Sequence, residues 1–378
     1  MTSAVLFAGE RLTLARQLEG LRKSELASRI GKSPTAVAAW EAGTKRPTAA
    51  NIVELALGLG VTSAFFAPRG MTADTENPVP HFRSLRSTSQ RARDQASAYG
   101  LLAVDIADAI EKHVEFPEVN VPTFELADEK EPEDAARALR EAWGIATGPM
   151  KHMVRLLEHR GVLVVFSPPQ TAAVDAYSFE SSTRPVVVLN PVKSDYYRQR
   201  FDVAHELGHL VMHRDSEPGG RIVEEEANRF AAELLMPASE LRELLPKAMN
   251  ARAWDVLGSL KEQWGVSIQA LLFRARRLGN ISDVTYRNAV VTLTQRGWRR
   301  SEPGLVSTVE QPSMLARSTE LLAEAGIDRD TLLEQARAPR ELFDVVTART
   351  PHWEPGAEVP ERGSTNVIPL LSRSRLAK

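Results

Sequence analysis

The chain has no cysteine among its 378 residues. Disulfides and thiolate metal ligands are therefore excluded, and any bound metal must rely on His, Asp or Glu. The same absence accords with a reducing, cytoplasmic setting. No run of eighteen apolar residues occurs, so no membrane span is expected. Residues 1–9 lack a basic start followed by a long apolar stretch, so export is not expected either. No internal repeat is visible. Neither sign of charge dominates, with a formal net charge of −2. What is present is an ordinary soluble composition, 43% apolar and 25% charged, long enough for two or three domains.

The balanced total hides an uneven start. Residues 1–70 carry nine Lys or Arg against five Asp or Glu, an excess of the sign that phosphate binding needs. Residues 10–66 read as five short helices. Leu14, Leu18 and Leu21 mark the first, and Leu26, Ala27 and Ile30 the second, which Gly31 ends. Ser33 before Pro34 starts the third, with Val37 and Trp40 facing inward and Gly43 closing it. Ile52, Leu55 and Ala56 mark a fourth, and 61–66 a short fifth.

A polar, proline-bearing stretch at 69–80 reads as a linker. Arg83, Arg86, Arg91 and Arg93 follow; a solvated helix face or a domain contact explains them better than phosphate binding. Helices are expected along Leu101 to Ile110, at 133–143 and at 149–159. Then the periodicity changes. Runs at 162–166 and 185–189 read as strands, with a third near 176–179. Helices return at 196–213, 221–236, 238–245, 251–278, 282–296 and 315–342. The fold class is mainly α with a small β-sheet, α+β. The tail, 350–378, is rich in Pro, Gly, Ser and Arg and is expected to be mobile.

Within 201–213 lies His205-Glu206-Leu207-Gly208-His209. Four residues make about one helical turn, so His205 and His209 project from one face and can share an ion. Glu206 is turned about 100° away and can serve as a general base without occupying a ligand position. A catalytic zinc needs a third protein ligand and an open position. The run from Glu224 to Pro237 supplies candidates on a second helix. Ala227, Phe230, Ala231 and Leu234 define its inward face; Glu224 lies nearest to that face, and Glu225 and Glu226 fall further around. Asn228, one turn beyond Glu224, is a candidate outer partner of the ligands. His213 sits about 12 Å along the axis from His205, too far to share its ion, and is expected behind the ligands, toward substrate or in a structural role.

AHELGHLVMH followed by EEEANRFAAELLMP resembles the ImmA/IrrE family of metallopeptidases. The resemblance covers roughly 82–303, including PVVVLNP at 185–191, and implies a zincin-like domain at 81–303. It implies zinc (Zn2+) on His205, His209 and Glu224, with Glu206 as the catalytic base. It also implies a protein substrate, a helix-turn-helix repressor. Residues 186–189 read equally as an edge strand for an extended substrate or as a core strand. Tyr177, Tyr196, Tyr197, Arg200 and His213 are the candidate oxyanion stabilisers.

Residues 8–68, through RLTLARQLEGLRKSELASRIGKSPTAVAAWEAGTKRPT and LALGLGV, resemble the XRE (lambda-repressor-like) helix-turn-helix family. That resemblance implies operator DNA as partner and a recognition helix at 33–40. Ser33, Thr35 and Ala36 then approach base edges, while Lys32, Thr44, Lys45 and Arg46 meet phosphates. Arg22-Lys23 stands where many relatives carry Thr-Gln, and alanines at 36, 38 and 39 leave few side chains for bidentate base contacts. The whole reads as a DNA-binding regulator carrying a zinc endopeptidase; the alternative is a regulator whose peptidase-like domain is a non-catalytic sensor. Helical residues 304–349 form a further region open to dimerisation, without a sustained heptad.

Overall fold

The computed structural model describes residues 7–68, 81–82, 89–126, 131–145, 147–168, 171, 174, 176–191, 195–214, 220–299, 301–304 and 308–349. The expected linker at 69–80, Arg83, Arg86 and the tail from 350 lie outside them.

The first four helices are α1 (Gly9–Leu18), α2 (Lys23–Arg29), α3 (Pro34–Glu41) and α4 (Ala49–Leu59). Ser33 and Thr48 cap α3 and α4 by accepting from Ala36 N and Asn51 N. The expected fifth helix is instead a 3-10 turn, Ser63–Phe66. No side chain caps it and Pro68 follows at once, so it cannot lengthen. A two-residue strand, β1 (His81–Phe82), was not expected. Next come α5 (Gln90–Glu111), α6 (Pro132–Ala142), α7 (Met153–His159), β2 (Leu163–Phe166), β3 (Tyr177–Glu180) and β4 (Pro185–Leu189). Two long helices, α8 (Tyr196–Met212) and α9 (Arg221–Leu235), lead to the short α10 (Ala238–Leu241).

The single helix expected at 251–278 is two, α11 (Ala251–Trp264) and α12 (Ile268–Arg277). Gly265 takes a left-handed φ of 63° and Ser267 caps the new start, so the periodic pattern continues across a break. After α13 (Asp283–Gln295), the run at 315–342 is likewise three helices: α14 (Met314–Glu324), α15 (Arg329–Ala336) and α16 (Arg340–Thr347). Asp328 caps α15, and Pro339 precedes α16. Among the described residues no helix is long and apolar enough to cross a membrane.

The sheet order is β1-β3-β4-β2. β2 runs parallel to β4, while β3 is antiparallel to both β4 and β1. β4 is therefore paired on both sides, which removes the edge reading of residues 186–189. The strand beside an edge is β3, where residues 81 and 82 pair with Ser178 and Tyr177.

Side chains alternate between two cores across this sheet. Leu163, Val165, Tyr177, Phe179, Val186 and Val188 face one; Val164, Phe166, Val187 and Leu189 face the other, with α8 and α9. The first core holds α5 and is continuous with the N-terminal helices and with α14 to α16. Along α5, a Cβ at Gly100 would lie 2.6 Å from the Phe179 ring, so glycine is what lets helix and strand touch. On its other side α5 receives α1: Gln95 Nε2 donates to Leu18 O at 2.9 Å, and Arg11 pairs with Asp105. Arg91 pairs with Glu25 of α2 at 3.3 Å, a contact between domains rather than with phosphate.

Candidate metal centre and nucleic-acid interface

α8 begins at Asp195, whose side chain accepts from Arg198 N. It then runs buried through the core, with His205, Glu206 and His209 fully enclosed. α9 crosses it closely because Gly208 lies between the two histidines. A Cβ there would meet the Phe230 ring at 3.0 Å and Ala227 Cα at 3.4 Å. This approach brings the Glu224 carboxylate to the imidazoles, with Oε2 3.4 Å from His205 Nε2 and Oε1 3.7 Å from His209 Nε2. The two Nε2 atoms are 3.1 Å apart.

Hydrogen-bond partners assign the tautomers. Asn228 Nδ2 donates to Glu224 O at 2.7 Å, which turns its Oδ1 to His205 Nδ1 at 3.1 Å. His205 Nδ1 therefore carries the proton and Nε2 a lone pair. His213 Nε2 donates to Glu226 Oε2 at 3.0 Å. Burial holds His213 below the usual imidazole pKa against the pull of Glu226, so its Nδ1 is an acceptor. His209 Nδ1, 3.0 Å away, donates to it. His209 Nε2 is then a lone pair too.

Two lone pairs and a carboxylate thus converge, and Glu224 Oε1 is buried without a hydrogen bond. Acceptors packed this way repel unless a cation lies among them. Tetrahedral zinc with bonds of about 2.0–2.1 Å sets its ligand atoms about 3.3 Å apart. The three separations, 3.1, 3.4 and 3.7 Å, match that edge length. The residues present fit a zinc ion.

Glu206 is not one of the three grouped residues, and Ser178 Oγ of β3 donates to its Oε2 at 2.8 Å. Neither Ser178 nor Glu226 is expected from the sequence. For Ser178 the only sign is its place between Tyr177 and Phe179, which turns it to the opposite face. For Glu226 there is none, because helical position alone aims it away.

Three oxyanion candidates are employed elsewhere. Tyr177 faces the other core, and its hydroxyl donates to Ala96 O at 2.5 Å. Arg200 is enclosed, bonding Glu310 and the carbonyls of Met150, Lys151 and Gly265. His213 stands behind His209. Of the two α8 tyrosines, the Tyr197 ring lies 4.5 Å from the Lys261 ammonium, and its edge meets Tyr196.

On the N-terminal helices, Ser33, Thr35, Thr44, Lys45 and Arg46 are exposed. Val37 and Trp40 are buried as expected. Ala36 is half-buried and packs on the core, which limits its reach to a base edge. Thr44 Oγ1 spends its only proton on Ala39 O at 3.1 Å, and Lys32 pairs with Glu54 at 2.7 Å. Lys45 and Arg46 are left as the exposed cations of the set.

Two family models match the chain. Residues 12–66 match the helix-turn-helix model, and residues 157–276 match the peptidase M78 model, described as an IrrE N-terminal-like domain. No protein of curated function matches. The chain joins a helix-turn-helix DNA-binding domain to an IrrE-like, peptidase-type domain.

Proposed function

We propose that the protein is a cytoplasmic DNA-binding regulator whose second domain is a zinc-dependent endopeptidase acting on another regulatory protein, such as a helix-turn-helix repressor. The observation that carries the reading is the convergence of His205 Nε2, His209 Nε2 and the Glu224 carboxylate, three ligand atoms within 4.8 Å of one another. His205, His209 and Glu224 would hold the ion. When bound, zinc supplies a Lewis acid that polarises a peptide carbonyl. Asn228 and the Glu226–His213 pair keep both imidazoles in the ligating tautomer. Glu206 accepts a proton from the attacking water at its carboxylate and returns it to the leaving amine.

The test is metal content together with cleavage of a quenched-fluorescence peptide selected from a random library with the zinc-loaded wild type. Wild-type protein is expected to hold one zinc per chain, and His205→Ala and Glu224→Ala to lose it and the cleavage together. Equal zinc in all three proteins removes the site.

Binding of DNA is expected to rest on Lys45 and Arg46. Each replaced by Ala should weaken binding alike on every sequence and lower the slope of log K against log salt by about 1. Lys32→Ala should do less, since Glu54 already neutralises that lysine. Fluorescence anisotropy on duplex DNA at several salt concentrations measures both. A slope unchanged in the Lys45→Ala, Arg46→Ala double variant would count against this face as the DNA contact.

A further inference from the structure

Ser178 is fully buried on β3, between two aromatic residues that face the other way. Its hydroxyl lies 2.8 Å from Glu206 Oε2 and 3.2 Å from Glu206 O. A serine has one proton to give, and the carboxylate is both the nearer and the stronger acceptor. The strand behind it is anchored: Tyr177 bonds Ala96 O, and the Phe179 ring lies against Gly100 of α5. The hydroxyl therefore has a set position, and so does the oxygen it holds.

We propose that Ser178 is a positioning residue for the peptidase reaction, fixing the rotation of the Glu206 carboxylate through a hydrogen bond from β3. This rests on the peptidase reading above. A carboxylate on a helix side chain otherwise rotates about its last bond, and a base misplaced by about 1 Å costs up to about a hundredfold in rate. Both acceptors within reach of the Ser178 hydroxyl belong to Glu206, so its loss acts on the base and not on the ion.

Four full-length proteins test it: Ser178→Ala, Ser178→Thr, Glu206→Gln and the Ser178→Ala, Glu206→Gln double variant. With the selected peptide, Ser178→Ala is expected to lose on the order of 10- to 100-fold in kcat, with KM within about twofold and zinc content unchanged. Ser178→Thr, which keeps the hydroxyl, is expected to recover most of that loss. A second readout needs no activity. In metal-free protein, Ser178→Ala should lower the melting temperature more when residue 206 is Glu than when it is Gln, because the contact is made to a charge.

An unchanged kcat in folded, zinc-loaded Ser178→Ala overturns the proposal. So does an equal melting-temperature fall on both backgrounds. Should the Ala variant fail to fold, Ser178→Cys, a weak donor of similar size, takes its place in the same comparison. A zinc-loaded wild type that cleaves no library peptide overturns the peptidase reading instead, while the metal-free melting comparison still reports on the Ser178–Glu206 contact.

Discussion

Glu206→Gln is expected to retain its zinc and to lose peptide cleavage by a factor on the order of 10²–10⁴. Glutamine has the shape of glutamate, and its amide oxygen can still accept from Ser178 Oγ, so the local packing survives. What it cannot do is take a proton from water. Glu206 is absent from the group of residues whose donor atoms converge, so the ion should be unaffected. That separation between zinc content and turnover distinguishes this variant from His205→Ala, in which both should fall. Cleavage surviving in Glu206→Gln would strip the residue of its role as base. Zinc retained by a wild-type protein that cuts nothing would favour a sensor over an enzyme.

Much of this centre is legible in the sequence because it depends on local periodicity. His205 and His209 share a helix face by spacing alone, and the apolar face of its own helix singles out Glu224. Both inferences need only the 3.6-residue turn. Ser178 and Glu226 escape because they depend on how separate elements meet. Ser178 lies 28 residues from Glu206 and reaches it from the sheet to the helix packed on that face. The angle of Glu226 on α9 points it away, but His213 extends from the far end of α8 to meet it at 3.0 Å. The edge reading of residues 186–189 fails for a related reason. A run of branched apolar residues identifies a buried strand, but only pairing decides which strand is outermost. The divisions at Gly265 and between α14, α15 and α16 are hidden because a break capped at both ends need not disturb the apolar period on either side.

The C-terminal region has no role that its sequence reveals, and Glu310 supplies a structural one. It lies in the segment leading to α14 and is buried against α8. Its Oε1 pairs with Arg200 at 2.6 Å, and its Oε2 accepts from Val154 N at 2.7 Å. Its backbone exchanges two bonds with Gln199, at 2.7 and 2.8 Å. Nearby, Glu158 accepts from Ser313 N and Met314 N, closing the start of α14. At the other end of the region, Arg337 donates to Ala67 O and Pro68 O, just past the N-terminal bundle. The region thus connects the peptidase-type core to the N-terminal helices through polar contacts, buried at Glu310 and partly exposed at Arg337.

Glu310→Ala is accordingly expected to destabilise the protein by about 3–5 kcal/mol, the cost of leaving one member of a buried ion pair without its partner. Arg200 is 1% exposed, so water cannot replace the carboxylate without opening the core. Val154 N loses its acceptor in the same step. Urea unfolding followed by tryptophan fluorescence should show the midpoint falling, whereas Glu310→Gln, which still offers an oxygen acceptor, should fall less. Removing Arg200 as well, in Arg200→Met with Glu310→Ala, should cost less than the two single changes added together, because no buried charge is then stranded. A Glu310→Ala protein as stable as wild type would mean that the C-terminal region is held by its other contacts, and that the Arg200 clasp on α8 contributes nothing to the fold.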